Sequence, residues 1–208
     1  MTQEIQDVKK GETTETRYRS LHWSGLMIFY IFTLLSVFMS LQFFFSIAIF
    51  GYTLANWEYY YGLIAALLPF VFIFIPAKKG LSYNKIPWYD YLMAILAFAI
   101  PVYFAFNARD MQQGGWSMHP SPFNFTSALI LCLLVLESSR RTGGTLFFFV
   151  CLFFGVYPLL APHMPGMFQG PEFPLPTLIG HIAFDSEGFM GIPMQVVGGI
   201  LIGFLIFS

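Results

Sequence analysis

The sequence predicts an all-helical integral membrane protein with about six transmembrane helices and a cytoplasmic N-terminus. Of its 208 residues, 57% are hydrophobic and only 10% are charged, and the mean hydropathy is +0.67. A soluble domain carries roughly a quarter charged residues, so this composition is typical of a chain embedded in a bilayer. The net charge of −1 and the lack of a Lys/Arg-rich block argue against a nucleic-acid partner.

Six apolar runs approach the roughly 20 residues that a helix needs to cross a bilayer. They are residues 26–50, 60–75, 88–106, 121–136, 144–160 and 191–207. Pro69 and Pro101 lie inside the second and third runs, so we expect a kink at each. Residues 1–20 are polar and show no A-x-A-type cleavage signature, so the first span is expected to remain as an anchor.

Lysine and arginine positions predict the orientation, because cations are enriched in cytoplasmic loops. With the N-terminus inside, nine of the ten cations lie in the cytoplasm and Arg109 lies outside. The nine are Lys9, Lys10, Arg17, Arg19, Lys78, Lys79, Lys85, Arg140 and Arg141. The outer connections are rich in aromatic residues, and we expect the tyrosines of "NWEYYYG", with Trp57 and Trp116, to form an interfacial belt.

The sequence contains no cluster that points to catalysis, haem or a metal. Cys132 and Cys151 each lie in an apolar run, which is typical of reduced thiols. Glu137 lacks an adjacent carboxylate with which to activate water. The histidines are scattered at His22, His119, His163 and His181. We therefore expect no enzyme activity, no metal site and no cofactor in this chain.

The main candidate site is "LESSRRTGG", in which Glu137, Arg140 and Arg141 have i,i+3 and i,i+4 spacing. On a helix this spacing places the carboxylate beside the guanidinium groups, and Gly143 and Gly144 would end or bend that helix. One interpretation is a cytoplasmic turn whose arginines extend towards water. A second is a docking site for a lipid phosphate or a subunit. Contact with a substrate is a third.

A second candidate lies in "DSEGFMGIPMQV", where Gly188, Gly191 and Pro193 precede the last apolar run. Pro193 suits the first turn of a helix, and small residues allow helices to approach closely. A glycine-notched packing helix is one interpretation. Alternatively, Asp185 and Glu187 lie near a broken helix start, as carboxylates do in transporters that bind cations. Residues 162–191, which precede the last apolar run, contain too many prolines for one continuous helix.

Taken together, four motifs resemble the N-terminal part of fused TRAP transporter permeases, especially the TAXI group. They are "RYRSL" (17–21), "LESSRRTGG" (136–144), "VYPLLAPHMPG" (156–166) and "DSEGFMGIPMQV" (185–196). The resemblance implies that residues 21–142 form a four-helix small-permease scaffold unit and that residues 143–208 begin a large-permease-like region. The elements that carry the family's sodium and substrate ligands would lie beyond this segment, so no ligand residue is transferred.

The resemblance also implies a function, a location and partners. The expected role is a scaffold subunit or portion of a binding-protein-dependent, sodium-coupled symporter of organic acids in a bacterial or archaeal inner membrane. Sodium would be the coupling ion of the complete transporter. The expected partners are a large permease subunit or the remainder of a fused permease, a periplasmic substrate-binding protein and membrane lipids. The chain is not expected to transport alone. The alternative is a membrane interaction or assembly protein that transports nothing.

Overall fold

A computed structural model describes Arg19 and residues 23–49, 51–77 and 86–207. Six of the nine cations expected on the cytoplasmic side, Lys9, Lys10, Arg17, Lys78, Lys79 and Lys85, lie outside the described residues. The described part of the chain is helical, apart from turns and one isolated antiparallel bridge between Ile49 and Tyr52.

Eight α-helices are described, and four of them are long and apolar enough to cross a membrane. The four long helices are α1 (Trp23–Phe44), α2 (Asn56–Phe74), α3 (Trp88–Phe106) and α5 (Pro122–Leu160). The short ones are α4 (Ala108–Gln113), α6 (Leu175–Phe184), α7 (Ile192–Met194) and α8 (Ile202–Phe207). A π-helix, Gln195–Leu201, joins α7 to α8, and 3-10 turns cover Ala161–His163 and Gly166–Phe168. The proline-rich connection is therefore broken into short pieces, as its composition predicted.

The first three long helices agree with the apolar runs, although the bounds of α1 and α2 differ from those predicted. Helix α3 has the predicted bounds, whereas α1 ends at Phe44 and not near residue 50. The chain turns soon after, because Ser46 and Gly51 adopt left-handed backbone angles, with φ of 48° and 80°. Helix α2 begins earlier than predicted, at Asn56, where the backbone N–H of Ala55 donates to Glu58 at 2.9 Å.

The fourth and fifth expected spans are two helical segments on either side of a break at Gly144, and together they make up α5 (Pro122–Leu160). Ser121 caps its start by accepting a hydrogen bond from the backbone N–H of Asn124. Gly144 has φ of 85° and ψ of 177°, which side chains rarely allow, so a glycine is required at the break. Residues 137–141 are helical and the break follows them at Gly144, as the glycine pair predicted, so the chain does not turn at the charged residues themselves.

The core surrounds α2, which packs against α1, α3 and α5. Tyr59, Tyr60 and Tyr61 are buried in this core, so the prediction that they form an interfacial belt is wrong. A tyrosine tolerates burial when its hydroxyl group finds an acceptor. Tyr59 donates to the backbone carbonyl of Gly198 at 2.8 Å, and Tyr61 donates to the carbonyl of Ala183. Trp57 and Trp116 are partly buried against the same core.

Candidate functional site

Five charged side chains from three parts of the chain meet at the C-terminal end of α2. They are Arg19, Asp90, Glu137, Arg140 and Arg141, and we call them the arginine–carboxylate network. Arg19 precedes α1, Asp90 lies in the first turn of α3, and the other three lie on α5. Charged groups at the depth of an apolar bundle are costly unless they are paired, so their meeting needs a structural reason.

Asp90 is the centre of the arginine–carboxylate network and is fully buried, with 0% exposure. Its Oδ2 accepts from Nη2 of Arg19 at 2.7 Å, and its Oδ1 accepts from Nη2 of Arg141 at 2.8 Å. The carboxylate also lies in the first turn of α3, where the partial positive charge of a helix N-terminus stabilises an anion.

Arg141 uses all three guanidinium nitrogens inside the protein. Nε donates to Glu137 at 2.8 Å, Nη1 donates to the backbone carbonyl of Ile75 at 3.1 Å, and Nη2 donates to Asp90. The guanidinium carbon lies 5.0 Å from the ring centre of Phe72, within range of a cation–π contact. Because all three nitrogens are paired within the protein, Arg141 has no unpaired guanidinium nitrogen to offer a lipid or a partner.

Glu137 and Arg140 form the outer part of the arginine–carboxylate network. Arg140 donates from Nε and Nη2 to the two carboxylate oxygens of Glu137, at 2.7 and 2.6 Å, which is a bidentate pair. Its Nη1 also donates to the carbonyl of Ala77 at 3.3 Å. The i,i+3 and i,i+4 contacts predicted from "ESSRR" are therefore confirmed. Arg140 is 31% exposed, so only this arginine of α5 reaches the surface.

Arg19 caps the C-terminal end of α2 by donating hydrogen bonds to its last carbonyl groups. Its backbone N–H donates to the carbonyl of Phe74 at 2.9 Å, and Nη1 donates to the carbonyls of Phe72 and Ile73 at 3.3 and 3.4 Å. The last carbonyls of a helix have no partner within it, and α2 has no basic residue in its own last turn. Arg19, Arg140 and Arg141 supply the missing donors and the positive charge that the helix dipole favours.

A second ionic contact lies near the opposite end of α2. Nε of Arg109 donates to Oε1 of Glu58 at 2.9 Å, and its guanidinium carbon lies 4.8 Å from the ring centre of Tyr52. Burial, together with the Glu58 carboxylate, raises the pKa of the Tyr52 hydroxyl group. At 1.5 Å per residue, Glu58 and Phe74 are about 24 Å apart along the helix, close to the thickness of a bilayer core.

Gly188 and Gly191 are required by close packing in the turn after α6. A Cβ atom at Gly188 would collide with the carbonyl oxygen of Ile182, and one at Gly191 would collide with that of Ser186. The turn is held by the backbone N–H of Phe189, which donates to Ile182 at 2.8 Å. The interpretation as a packing element therefore fits both glycines.

Pro193 occupies the first turn of α7, as predicted, and lines an apolar groove of about 440 Å³ between α2 and α7. Gly188 lines the same groove. Among the glycines that follow, Gly198 packs against Tyr60 and Gly203 packs against Phe44, whereas a Cβ atom at Gly199 would meet nothing within 4 Å.

The carboxylates near this turn do not converge on one point. Asp185 accepts from the backbone N–H of Ser186 at 2.6 Å and lies 2.7 Å from Nδ1 of His181. Glu187 is exposed. Among the described residues, no group of three or more His, Cys, Asp or Glu side chains could hold a metal ion, and both cysteines are free thiols.

Sequence reasoning identified the α5 members of the arginine–carboxylate network but missed its centre. No role is predicted for Asp90 from the sequence, and Arg19 bears only on the orientation and on the "RYRSL" motif. A usable signal existed, because Asp90 is the sole charged residue in the apolar run 88–106. An ionisable residue inside a membrane span is a site candidate by default, with a partner to be sought.

Comparison of the chain with protein-family models, curated protein sequences and solved structures found no match. The functional interpretation therefore rests on the motifs and on the geometry described above.

Proposed function

We propose that the chain is a scaffold subunit, or scaffold portion, of a TRAP-type secondary transporter that imports organic acids with sodium. Support comes from the four motifs that resemble fused TRAP permeases and from four helices long and apolar enough to cross a membrane. In this proposal residues 21–142 form the small-permease unit and residues 143–208 begin the large-permease-like region. The chain adopts six spans in a bacterial or archaeal inner membrane, with its N-terminus in the cytoplasm.

The observation that carries the scaffold role is the burial of Asp90 between two arginines. Breaking such a pair leaves an uncompensated buried charge, at a cost of about 3–5 kcal/mol. The network therefore opposes movement of α2, α3 and α5 relative to one another. A rigid unit of this kind suits the immobile part of a transporter, against which a substrate-carrying domain moves.

The burial of the network also favours a scaffold over a substrate path. Asp90 and Arg141 have their charges compensated inside the protein, and their side chains are at most 1% exposed. A substrate site would instead offer polar groups to a cavity. The groove between α2 and α7 and a groove between α1 and α2 both have predominantly apolar walls, which does not favour recognition of a small organic acid.

Orientation follows the same proposal. The arginine–carboxylate network marks the cytoplasmic end of the bundle, because three of its members are arginines and cations are enriched on that side. The Glu58–Arg109 contact then lies at the periplasmic end. Cysteine-accessibility labelling of Asp110→Cys and Ser139→Cys in intact cells tests this: an impermeant reagent should reach the first and not the second. The opposite labelling pattern would show that the orientation is the reverse of the one proposed.

Co-purification tests the transport role against the alternative, a membrane assembly protein that transports nothing. The chain is tagged in its native host, extracted in a mild detergent and analysed by mass spectrometry. A large multi-span permease and a periplasmic binding protein should be recovered together with it. If the chain is part of a fused permease, the tag should instead recover a longer polypeptide with the binding protein. Recovery of neither would contradict the transport role.

A further inference from the structure

A groove between α1 and α2 combines an apolar wall with one charged residue. Its volume is about 450 Å³, and its wall includes Phe29 of α1, Leu67, Phe70 and Val71 of α2, and Arg19. Arg19 is bonded to the carbonyl of Phe74, at the C-terminal end of α2, whereas Leu67 lies seven residues earlier, or about 10 Å along the helix. The groove is thus polar at the end of the span and apolar towards its middle.

Arg19 is incompletely satisfied. Its side chain is 1% exposed, and its Nε is the one buried side-chain nitrogen or oxygen of the described residues that has no hydrogen-bond partner. Buried arginine N–H groups are almost always paired, because an unpaired donor loses its hydration without compensation. An acceptor supplied by a ligand in the groove would remove this deficit.

The charge of the site favours an anion. Three arginines face two carboxylates in the arginine–carboxylate network, so its formal charge is +1. Guanidinium groups pair well with phosphate oxygens, and basic pockets between membrane helices bind lipid head groups. A free anion would satisfy the charge but would leave the apolar wall uncovered.

We propose that this groove binds one anionic phospholipid, with its phosphate beside Arg19 and an acyl chain along Phe29, Phe70 and Val71. The end of the groove near Arg19 lies at the end of a candidate span, where the head groups of a bilayer are found. Lipid binding there needs no transport partner, so it can fail or succeed independently of the proposed transport role.

The groove between α2 and α7 provides an internal comparison. It is of similar volume, about 440 Å³, but no charged residue lines it. It should therefore bind a phospholipid acyl chain without preference for the charge of the lipid head group.

Native mass spectrometry of the detergent-purified full chain tests the proposal. The protein is mixed with phosphatidylglycerol and phosphatidylcholine that carry identical acyl chains. We expect one phosphatidylglycerol to be retained in preference to phosphatidylcholine by roughly fivefold, the factor for one arginine–lipid contact. Equal retention of the two lipids would overturn the proposal.

Groove-filling variants locate the site without disturbing the network. Leu67→Trp places an indole in the groove from a position already 42% exposed, and it should reduce phosphatidylglycerol retention to the level of phosphatidylcholine. Leu92→Trp is the matched control, because Leu92 is similarly exposed, on α3, and does not line this groove. Leu67 also lines the groove between α2 and α7, so a second variant, Phe29→Trp, alters only the groove between α1 and α2 and should have the same effect. Unchanged selectivity in a folded groove variant, or equal loss in Leu92→Trp, would overturn the assignment.

Discussion

Oδ1 of Asp90 accepts a hydrogen bond from Nη2 of Arg141 at 2.8 Å, although the two residues are 51 positions apart in the chain. This contact joins the first turn of α3 to the middle of α5, beside the last turn of α2.

Replacing Asp90 with asparagine should destabilise the protein by about 3–5 kcal/mol, because Arg19 and Arg141 would both lose the carboxylate that compensates their buried charge. Thermal unfolding in detergent measures the effect. Asp110→Asn is the control, since Asp110 is exposed on α4 and its change should stay within about 0.5 kcal/mol. Equal melting temperatures for the two variants would mean that the buried pair does not stabilise the fold.

Replacing Arg141 should destabilise the protein far more than replacing Arg140, although the two residues are neighbours. Arg141→Gln should cost about 3–5 kcal/mol, whereas Arg140→Gln should cost about 1 kcal/mol or less, because its side chain is 31% exposed and that of Arg141 is 1% exposed. The same unfolding assay compares them. A larger effect of Arg140→Gln than of Arg141→Gln would show that Arg140, and not Arg141, has the structural role.

Under the proposed transport role, the double variant of Arg140 and Arg141 extends this comparison to the assembled complex. It should lower the yield of the complex, and the complexes that do form should keep their substrate affinity. Uptake in proteoliposomes, normalised to the amount of complex, measures this. Loss of affinity with normal expression and assembly would instead assign these arginines to the substrate.

Gly188→Ala should destabilise the turn after α6 by about 1–3 kcal/mol, because the added Cβ collides with the backbone carbonyls of His181 and Ile182. Backbone atoms cannot move aside as a flexible side chain can. Gly155→Ala is the matched control: its Cβ would meet nothing within 4 Å on helix α5, so the change should be neutral or stabilising by about 0.5–1 kcal/mol. A tolerated Gly188→Ala would show that the turn can adopt another conformation.

Asp185 should contribute a pH-dependent part of the stability. Burial acts to raise the pKa of its carboxyl group, but hydrogen bonds from His181 and Ser186 outweigh this and hold the pKa below its ordinary value. A lowered folded-state pKa means that the contribution is present above the unfolded value, about 3.9, and is lost as the pH falls through the folded value.

Unfolding temperatures measured from about pH 6 down to about pH 3 test this contribution. The acid-induced loss should be smaller in Asp185→Asn, which has no carboxyl group to protonate at this position. Glu187→Gln changes an exposed carboxylate two residues away and should leave the acid sensitivity as it is. Identical pH profiles for Asp185→Asn and the unaltered protein would show that this carboxylate does not contribute to the acid-induced loss of stability.

Helix positions and the pairing within α5 were predictable because both depend on local spacing. Residues 88–106 form a helix with the predicted bounds, and Glu137 meets Arg140 and Arg141 because residues three and four apart share a helix face. The bend after them was also predictable, since Gly144 can adopt a backbone conformation that other residues resist.

The tyrosines of "NWEYYYG" show where local reasoning failed. A tyrosine near a span end is equally suited to a membrane interface and to a core that offers its hydroxyl group an acceptor. Tyr59 finds that acceptor at Gly198, 139 residues away, which no local pattern reveals.

By itself, the sequence determined that the chain is helical and apolar enough for a membrane, and where most of its long helices lie, because hydrophobicity and span length are local properties. The tertiary structure alone decided that Asp90 lies between Arg19 and Arg141, 71 and 51 residues away along the chain. Which helix faces meet depends on the packing of the whole bundle, and only that packing turns scattered charges into one compensated network.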